Sequence, residues 1–181
     1  MGNKNLILIM LVTMIWISGC GPPYDYREGS CISTTTDTFE GYTRTEIWAV
    51  GDLNLIKGLH GWDSRAKLTA VKDVYHNGMI RYVLQYYHPG KFIYPERLIF
   101  LIDGERHKFN FQDSKRDIGY GSLSDEWAWV SIEPSFLEKI ANANTIQVRI
   151  VRSNGSMDYY FNERYHYCFK RFYEECVLPS Q

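Results

Sequence analysis

Three two-residue turn signals constrain the fold of this chain more than any other feature. Asn77-Gly78, Asp103-Gly104 and Asn154-Gly155 each lie between two segments with the residue pattern of a strand. Asn-Gly and Asp-Gly supply the positive φ angles of a type I′ turn, whose twist matches a pair of antiparallel strands. Each signal therefore predicts a β-hairpin, and three hairpins in one chain predict a mainly β domain.

The segments beside these turns alternate with the period of two expected of strands that bury one face. The apolar positions that share a face are Ile80, Tyr82, Leu84 and Tyr86 in one segment, and Ile146, Val148 and Ile150 in another. The segment "RLIFLI" at 97–102 is apolar on both faces, which indicates a central strand. The segment "EWAWVSIE" at 126–133 predicts a further strand, with both tryptophans on one side.

Two helices complete the predicted architecture. Ser135 and Glu138 fit the capping-box pattern at the start of a short helix that ends near Asn142. Residues 162–176 place aromatic and cysteine side chains on one face at helical spacing. The fold class predicted is an antiparallel β-sandwich or strongly curved sheet built from hairpins, with one short inserted helix and a C-terminal helix.

The N-terminal apolar run predicts a secretory signal. It extends from Leu6 to Ile17, only twelve residues, whereas a helix that crosses a bilayer needs about 20. Lys4 precedes it, and the small residues Ser18 and Gly19 follow it, as in a signal peptide.

The four residues Ile17-Ser18-Gly19-Cys20 resemble the lipobox of bacterial lipoproteins. The resemblance covers only the first twenty or so residues. It implies that residues 1–19 are removed and that Cys20 carries a diacylglyceryl group, with further fatty acylation of the new amine. Gly21 stands where an aspartate would imply retention at the inner membrane. An outer-membrane location is therefore implied in an organism with two membranes, and the external face of the plasma membrane in an organism with one.

The rest of the chain is predicted to form one domain. Residues 20–38, rich in Gly, Pro, Ser and Thr, are interpreted as the lipidated cysteine and a flexible tether, and residues 39–181 as a single β-rich globular domain. Lys and Arg number 20 against 21 Asp and Glu, without a dense basic run. This balance argues against nucleic acid as a partner.

Three cysteines remain once Cys20 is lipidated, and an exported protein can form disulfides. The preferred pair is Cys31–Cys176, because it would join the end of the tether to the end of the chain. Cys31–Cys168 is the alternative. A bond between Cys168 and Cys176 is disfavoured, since eight residues extend about 12 Å along a helix.

Motifs that would indicate catalysis or metal binding are not found in the sequence. The segment "GYGSL" at 119–123 places its serine wrongly for a nucleophile elbow, and the five histidines share no ligand spacing. Asp125-Glu126 and the pair Asp103 and Glu105 adjoin predicted turns, where a solvated role suffices. No catalytic residue, metal or cofactor is therefore predicted.

Two segments, 58–67 and 113–129, are interpreted as loops that carry or lead into Trp62, Tyr120 and Trp127. These aromatic residues are a possible binding surface, because Tyr and Trp dominate interface hot spots. The preferred interpretation is that they cover the edge of the sheet or fill the core.

The predicted function follows from the anchor and from the missing catalytic motifs. We expect a non-catalytic envelope module that is held to the membrane by its N-terminal lipid and binds another envelope protein, a polymer or a small ligand. The alternative is a periplasmic hydrolase of an envelope polymer that uses dispersed carboxylates or histidines.

Overall fold

A computed structural model describes residues 31–47, 54–57, 65–118 and 124–180 of the chain. Its strands are β1 Ile32–Asp37, β2 Tyr42–Ile47, β3 Asn54–Lys57, β4 Lys67–Tyr75, β5 Ile80–Pro89, β6 Pro95–Ile102, β7 Glu105–Asn110, β8 Asp113–Ile118, β9 Ser124–Ser131, β10 Ile146–Arg152 and β11 Gly155–Tyr160. Its helices are α1 Pro134–Asn142 and α2 Glu163–Phe172, and α2 continues into a π-helical turn Tyr173–Val177 and a 3-10 turn Leu178–Ser180.

The strands form two antiparallel sheets. The six-stranded sheet has the order β1-β2-β4-β5-β9-β8, and the five-stranded sheet has the order β3-β11-β10-β6-β7. The inward side chains of both sheets and the buried faces of both helices make one hydrophobic core. The hydroxyl oxygens of Tyr86 and Tyr159, one from each sheet, lie 3.4 Å apart within it. The predicted mainly β class, with one inserted and one C-terminal helix, is confirmed.

All three predicted hairpins are present, as β4–β5, β6–β7 and β10–β11. Asp103 and Gly104 have φ of 47° and 88°, so this turn has the two positive angles of type I′. In the other two turns Gly78 and Gly155 supply the positive φ, whereas the asparagine before each glycine does not. The type I′ prediction is therefore right for one turn and wrong for two.

Burial follows the predicted alternation, with one correction. Tyr82, Leu84 and Tyr86 of β5 are buried, whereas Ile80, predicted on the same face, is 39% exposed at the start of the strand. Strand β6 pairs on both sides, with β7 and β10, but only one of its faces is covered, since Leu101 is 36% exposed. The predicted central position of this strand is therefore confirmed, although its outward face is partly exposed.

The two helices lie where the sequence predicts them, but α1 starts differently. Its N-cap is Glu133, which makes no side-chain capping bond, and Pro134 occupies the first turn, where a missing N–H is tolerated. The capping box at Ser135 is therefore wrong. Helix α2 is capped by Asn162, whose side chain accepts a hydrogen bond from the Tyr165 N–H at 2.9 Å.

The predicted tether boundary is wrong, because residues 32–37 form the edge strand β1. The β-branched threonines of this segment suit a strand, and Thr34 and Thr45 lie side by side with hydroxyl oxygens 3.1 Å apart. The folded domain therefore includes residues that composition alone had assigned to a linker.

The disulfide joins Cys31 to Cys168, so the preferred pair Cys31–Cys176 is wrong and the alternative is observed. Cys168 lies on the buried face of α2, with its Cα 5.4 Å from that of Cys31. Cys176 lies beyond α2 in the π-helical turn and is a half-buried free thiol. Burial raises the pKa of this thiol, which favours its protonated form.

Candidate functional site

The residues predicted as a binding surface have different outcomes. Trp62 and Tyr120, like the predicted lipid site Cys20, lie outside the described residues. Trp127 lies on β9, half-buried, with its ring centroid 5.4 Å from that of Tyr87. The predicted loop 113–129 is mostly the hairpin of β8 and β9. The polar residues of 113–118 had obscured β8, whereas most of β9 falls within the strand predicted at 126–133.

A groove of about 410 Å³ lies on the outward face of the six-stranded sheet. We call it the groove, and its lining comes from β2, β4, β5, β8 and β9 and from Gln112. Three rows of side chains that cross the strands build it. Cross-strand register determines each row, because residues directly opposite each other on neighbouring strands share a face.

The first row is an ion triad. Asp73 lies opposite Arg44 on one side and Arg81 on the other. Arg44 donates to both carboxylate oxygens, at 2.8 and 3.1 Å, and Arg81 donates to one at 2.8 Å. The Asp73 side chain is 1% exposed, whereas those of Arg44 and Arg81 are 31% and 47% exposed. The triad therefore presents two guanidinium groups to solvent above a buried carboxylate.

The triad stays charged over a wide pH range. Burial by itself raises the pKa of Asp73, but the hydrogen bonds and charges of the two arginines outweigh it and lower the pKa. The hydrogen bond to Asp73 raises the pKa of Arg44. An opposite charge within hydrogen-bond distance favours the charged form of each partner.

The middle row has small side chains on β4, β5 and β9, and Glu46 of β2 lies opposite Val71 at its end. Val71 lies opposite Val83, and Val83 lies opposite Ser131. Both valines face outward and yet are only 1% and 4% exposed, because the longer side chains on either side rise above them. The middle row is therefore the floor of the groove.

The third row carries the aromatic wall. Trp129 lies opposite Gln85 on one side and Asp113 on the other. Its indole Nε1 donates to Gln85 Oε1 at 3.0 Å, which holds the ring in one orientation. Beside it, Gln112 Oε1 accepts a hydrogen bond from the Ser131 N–H at 3.0 Å. Both glutamine amides thus use their oxygens within the protein.

The outward face continues beyond the third row with Trp127. Lys115 lies 5.8 Å from its ring centroid, and the Tyr87 hydroxyl donates to Asp125 at 2.8 Å. Alternation along β9 places Trp127 and Trp129 on the same face, about 7 Å apart along the strand. Two indole rings therefore line one side of the sheet.

Glu126 corrects the expectation that the carboxylates at 125–126 have a solvated role. Its side chain is fully buried and accepts hydrogen bonds from the backbone of Ile93 and Tyr94, at 2.7 and 3.0 Å, and from Arg116 at 2.6 Å. Arg116 also lies over the Tyr94 ring at 4.5 Å. Glu126 therefore fastens the β5–β6 connection to the edge of the sheet.

The residues of the ion triad and Trp129 were not predicted as a site from the sequence. Each lies in a segment that reads as an ordinary strand, with a polar outward face. One signal was available, the charged pair Lys72-Asp73 between Val71 and Val74. Finding the site needed the register that brings β2, β4 and β5 side by side.

Within the described ranges, no group of three or more His, Cys, Asp or Glu side chains is arranged to hold a metal ion. None of the helices in these ranges has the length and apolar character needed to cross a membrane. No protein-family model, curated protein or solved structure matches this chain.

Proposed function

We propose that this protein is a lipid-anchored component of the bacterial cell envelope whose β-domain is a non-catalytic binding module. The groove is the proposed binding site, and its geometry is the observation that carries the proposal. It is open to solvent, has a volume of about 410 Å³, and combines an apolar floor with polar and aromatic walls. Sites for small molecules and cofactors typically have this mixture, at about 300–1,000 Å³.

The ion triad supports a binding role. Burying a carboxylate carries a desolvation cost of several kcal/mol, and an arginine partner often does no more than offset it. A sheet face exposed only to water does not need this arrangement. Here it fixes two guanidinium groups at the edge of the groove, where their remaining N–H groups can meet a ligand.

The carboxylates of the groove favour binding over hydrolysis. Acid–base catalysis needs positioned groups that can reach the substrate and exchange protons with it. Asp73 is buried between two arginines, which leaves Asp113 as the accessible carboxylate among the described groove residues.

The lipid anchor rests on the lipobox-like residues Ile17–Cys20, and outer-membrane placement rests on Gly21. Metabolic labelling with an alkyne fatty acid tests the anchor. We expect label on the wild-type protein and on Cys176→Ser, and none on Cys20→Ser. Label retained by Cys20→Ser would contradict it.

A groove-filling substitution tests the binding site. Ser131→Tyr places a large side chain in the middle row at an exposed strand position, where an aromatic residue is well tolerated. The matched control is Ser156→Tyr, on the outward face of the five-stranded sheet. In a deletion strain, both variants should accumulate normally, but only Ser156→Tyr should complement. Complementation by Ser131→Tyr, with its groove confirmed as filled, would remove the groove from the function.

A further inference from the structure

We infer that the ligand of the groove is a neutral, hydroxyl-rich glycan segment. This inference rests on the proposed function, because it specifies the ligand of the same site. Three properties of the groove carry it: its balance of charge, its mixture of donors and acceptors, and its fixed indole ring.

The charges of the groove cancel. Arg44 and Arg81 carry two positive charges, and Asp73 and Asp113 carry two negative charges. The guanidinium groups are already engaged with Asp73, and Asp113 would repel an anion placed beside Trp129. A ligand with a large net charge of either sign therefore gains little from this surface.

The polar groups match hydroxyl groups, which both donate and accept. The glutamine oxygens are used by Trp129 and by the Ser131 backbone, so the NH₂ groups of Gln85 and Gln112 remain as donors. One oxygen of Asp113 accepts from the Ser114 N–H, which leaves the other as an acceptor, and Ser131 can both donate and accept. A phosphate or carboxylate would use only the donors, whereas a sugar can use both kinds of group.

The apolar elements match the C–H faces of a sugar ring. Val71 and Val83 make an apolar floor, and Trp129 presents a half-buried indole that Gln85 holds in place. A side chain already fixed in its bound orientation loses little entropy when the ligand binds. Trp127, on the same face, extends this wall beyond the groove, as a chain of several sugar units requires.

Calorimetry on the purified Cys20→Ser protein tests the inference. The neutral probes are N-acetylglucosamine and the six-unit cello- and malto-oligosaccharides. The anionic probes are inorganic phosphate and hexametaphosphate. We expect at least one oligosaccharide to bind, with an affinity that changes little between about 0.05 and 0.5 M salt, because a neutral ligand is not screened. Trp129→Ala should weaken this binding by about tenfold or more, as the loss of an aromatic hot spot does. Tyr160→Ala, an exposed aromatic residue of the other sheet, should leave it unchanged.

Asp113→Ala distinguishes a neutral glycan from an anionic ligand. It keeps Trp129 in place, so its result does not depend on whether Trp129→Ala folds. It removes an exposed acceptor, so it should weaken oligosaccharide binding several-fold and strengthen the binding of an anion. If Asp113→Ala binds hexametaphosphate more tightly and no oligosaccharide binds, the inference of a glycan ligand would be overturned. If none of the probes binds and Ser131→Tyr still fails to complement, the inference of a glycan ligand would be overturned, and the proposal that the groove is a binding site would stand. If none of the probes binds and Ser131→Tyr complements fully, both the glycan inference and the proposed binding site would be overturned.

Discussion

The outward faces of the two sheets carry the same ion-pair chemistry in different settings. On the six-stranded sheet the Asp73 side chain is 1% exposed beneath two arginines. On the five-stranded sheet Arg149 donates to Asp158 at 2.6 Å, with side chains 49% and 20% exposed. The cavity beside the second pair is about 110 Å³, against about 410 Å³ for the groove.

The difference comes from the order of side-chain sizes across the strands. In the groove, Val71, Val83 and Ser131 are the small members of a row that ends at Glu46, and rows of larger residues lie on either side. Two adjacent rows of the five-stranded sheet have no such run of small side chains: Arg106, Leu101, Gln147 and Tyr160 form one, and Lys108, Ile99, Arg149 and Asp158 form the next. A sheet face thus becomes a groove when one cross-strand row is small, and that property depends on register as well as composition.

The largest expected effect concerns a covalent difference between the sheets. The disulfide links α2 to Cys31, directly before the edge strand β1 of the six-stranded sheet, and it closes a span of 137 residues. In the chain-entropy model such a loop stabilises a protein by about 5 kcal/mol. We expect the free energy of unfolding of Cys31→Ala/Cys168→Ala, measured by urea titration, to be lower than that of the wild type by most of this amount.

Hydrogen exchange on the same variant adds the spatial test. Amide protection should fall first in β1 and β2, and protection in β6 and β10 should fall later. Cys176→Ala is the matched control, and its stability should stay within about 1 kcal/mol of the wild type. Equal loss of protection in both sheets would show that the bond does not act through the edge strand.

The next largest effect separates the two ion pairs. Arg44→Met/Arg81→Met leaves the Asp73 carboxylate buried without a partner, which typically costs about 3–5 kcal/mol. Arg149→Met removes half of an exposed pair, for which about 0–1 kcal/mol is usual. Urea titrations of both variants at neutral pH measure the contrast. Similar losses from the two would mean that burial does not distinguish the faces.

The sequence predicted the hairpins because their signals are local. Each turn pair and its flanking alternation lie within about twenty residues, so Asn77-Gly78 and the strands beside it could be interpreted without tertiary information. The same holds for α2, whose buried Tyr165, Phe169 and Phe172 recur at helical spacing. Local period and turn chemistry therefore carried the fold class.

The groove could not be predicted, because its rows are non-local. Arg44 and Asp73 are 29 residues apart, and Gln85 and Trp129 are 44 apart. The disulfide partner could not be predicted for a related reason, since Cys31 and Cys168 are 137 residues apart and only the tertiary fold brings their Cα atoms to 5.4 Å. Trp62, Tyr120 and Cys20 stay predictions.

Truncation of an outward-facing apolar side chain should cost more stability on the six-stranded sheet than on the five-stranded sheet. Val71→Ala removes buried methyl groups beneath the groove and should cost about 2 kcal/mol, from lost burial and a residual cavity. Leu101→Ala removes a larger side chain from a position that is 36% exposed, and it should cost less than about 1 kcal/mol. Thermal or urea midpoints measure the difference. A greater loss from Leu101→Ala would reverse the assignment of the covered face.

The smallest expected effect is a difference in acid sensitivity. The arginines hold the pKa of Asp73 below its usual value, even though burial alone would raise it. A carboxylate with a lower pKa in the folded state stabilises the fold above its unfolded pKa of about 3.9, and this contribution is lost as the pH falls through the folded value. Asp73→Asn should therefore lower stability at neutral pH and reduce the loss of stability below about pH 4. Urea midpoints measured from pH 7 to pH 2.5 give the slopes. An unchanged acid slope in Asp73→Asn would place the acid-sensitive carboxylates outside the triad, and the two faces would then differ in shape alone.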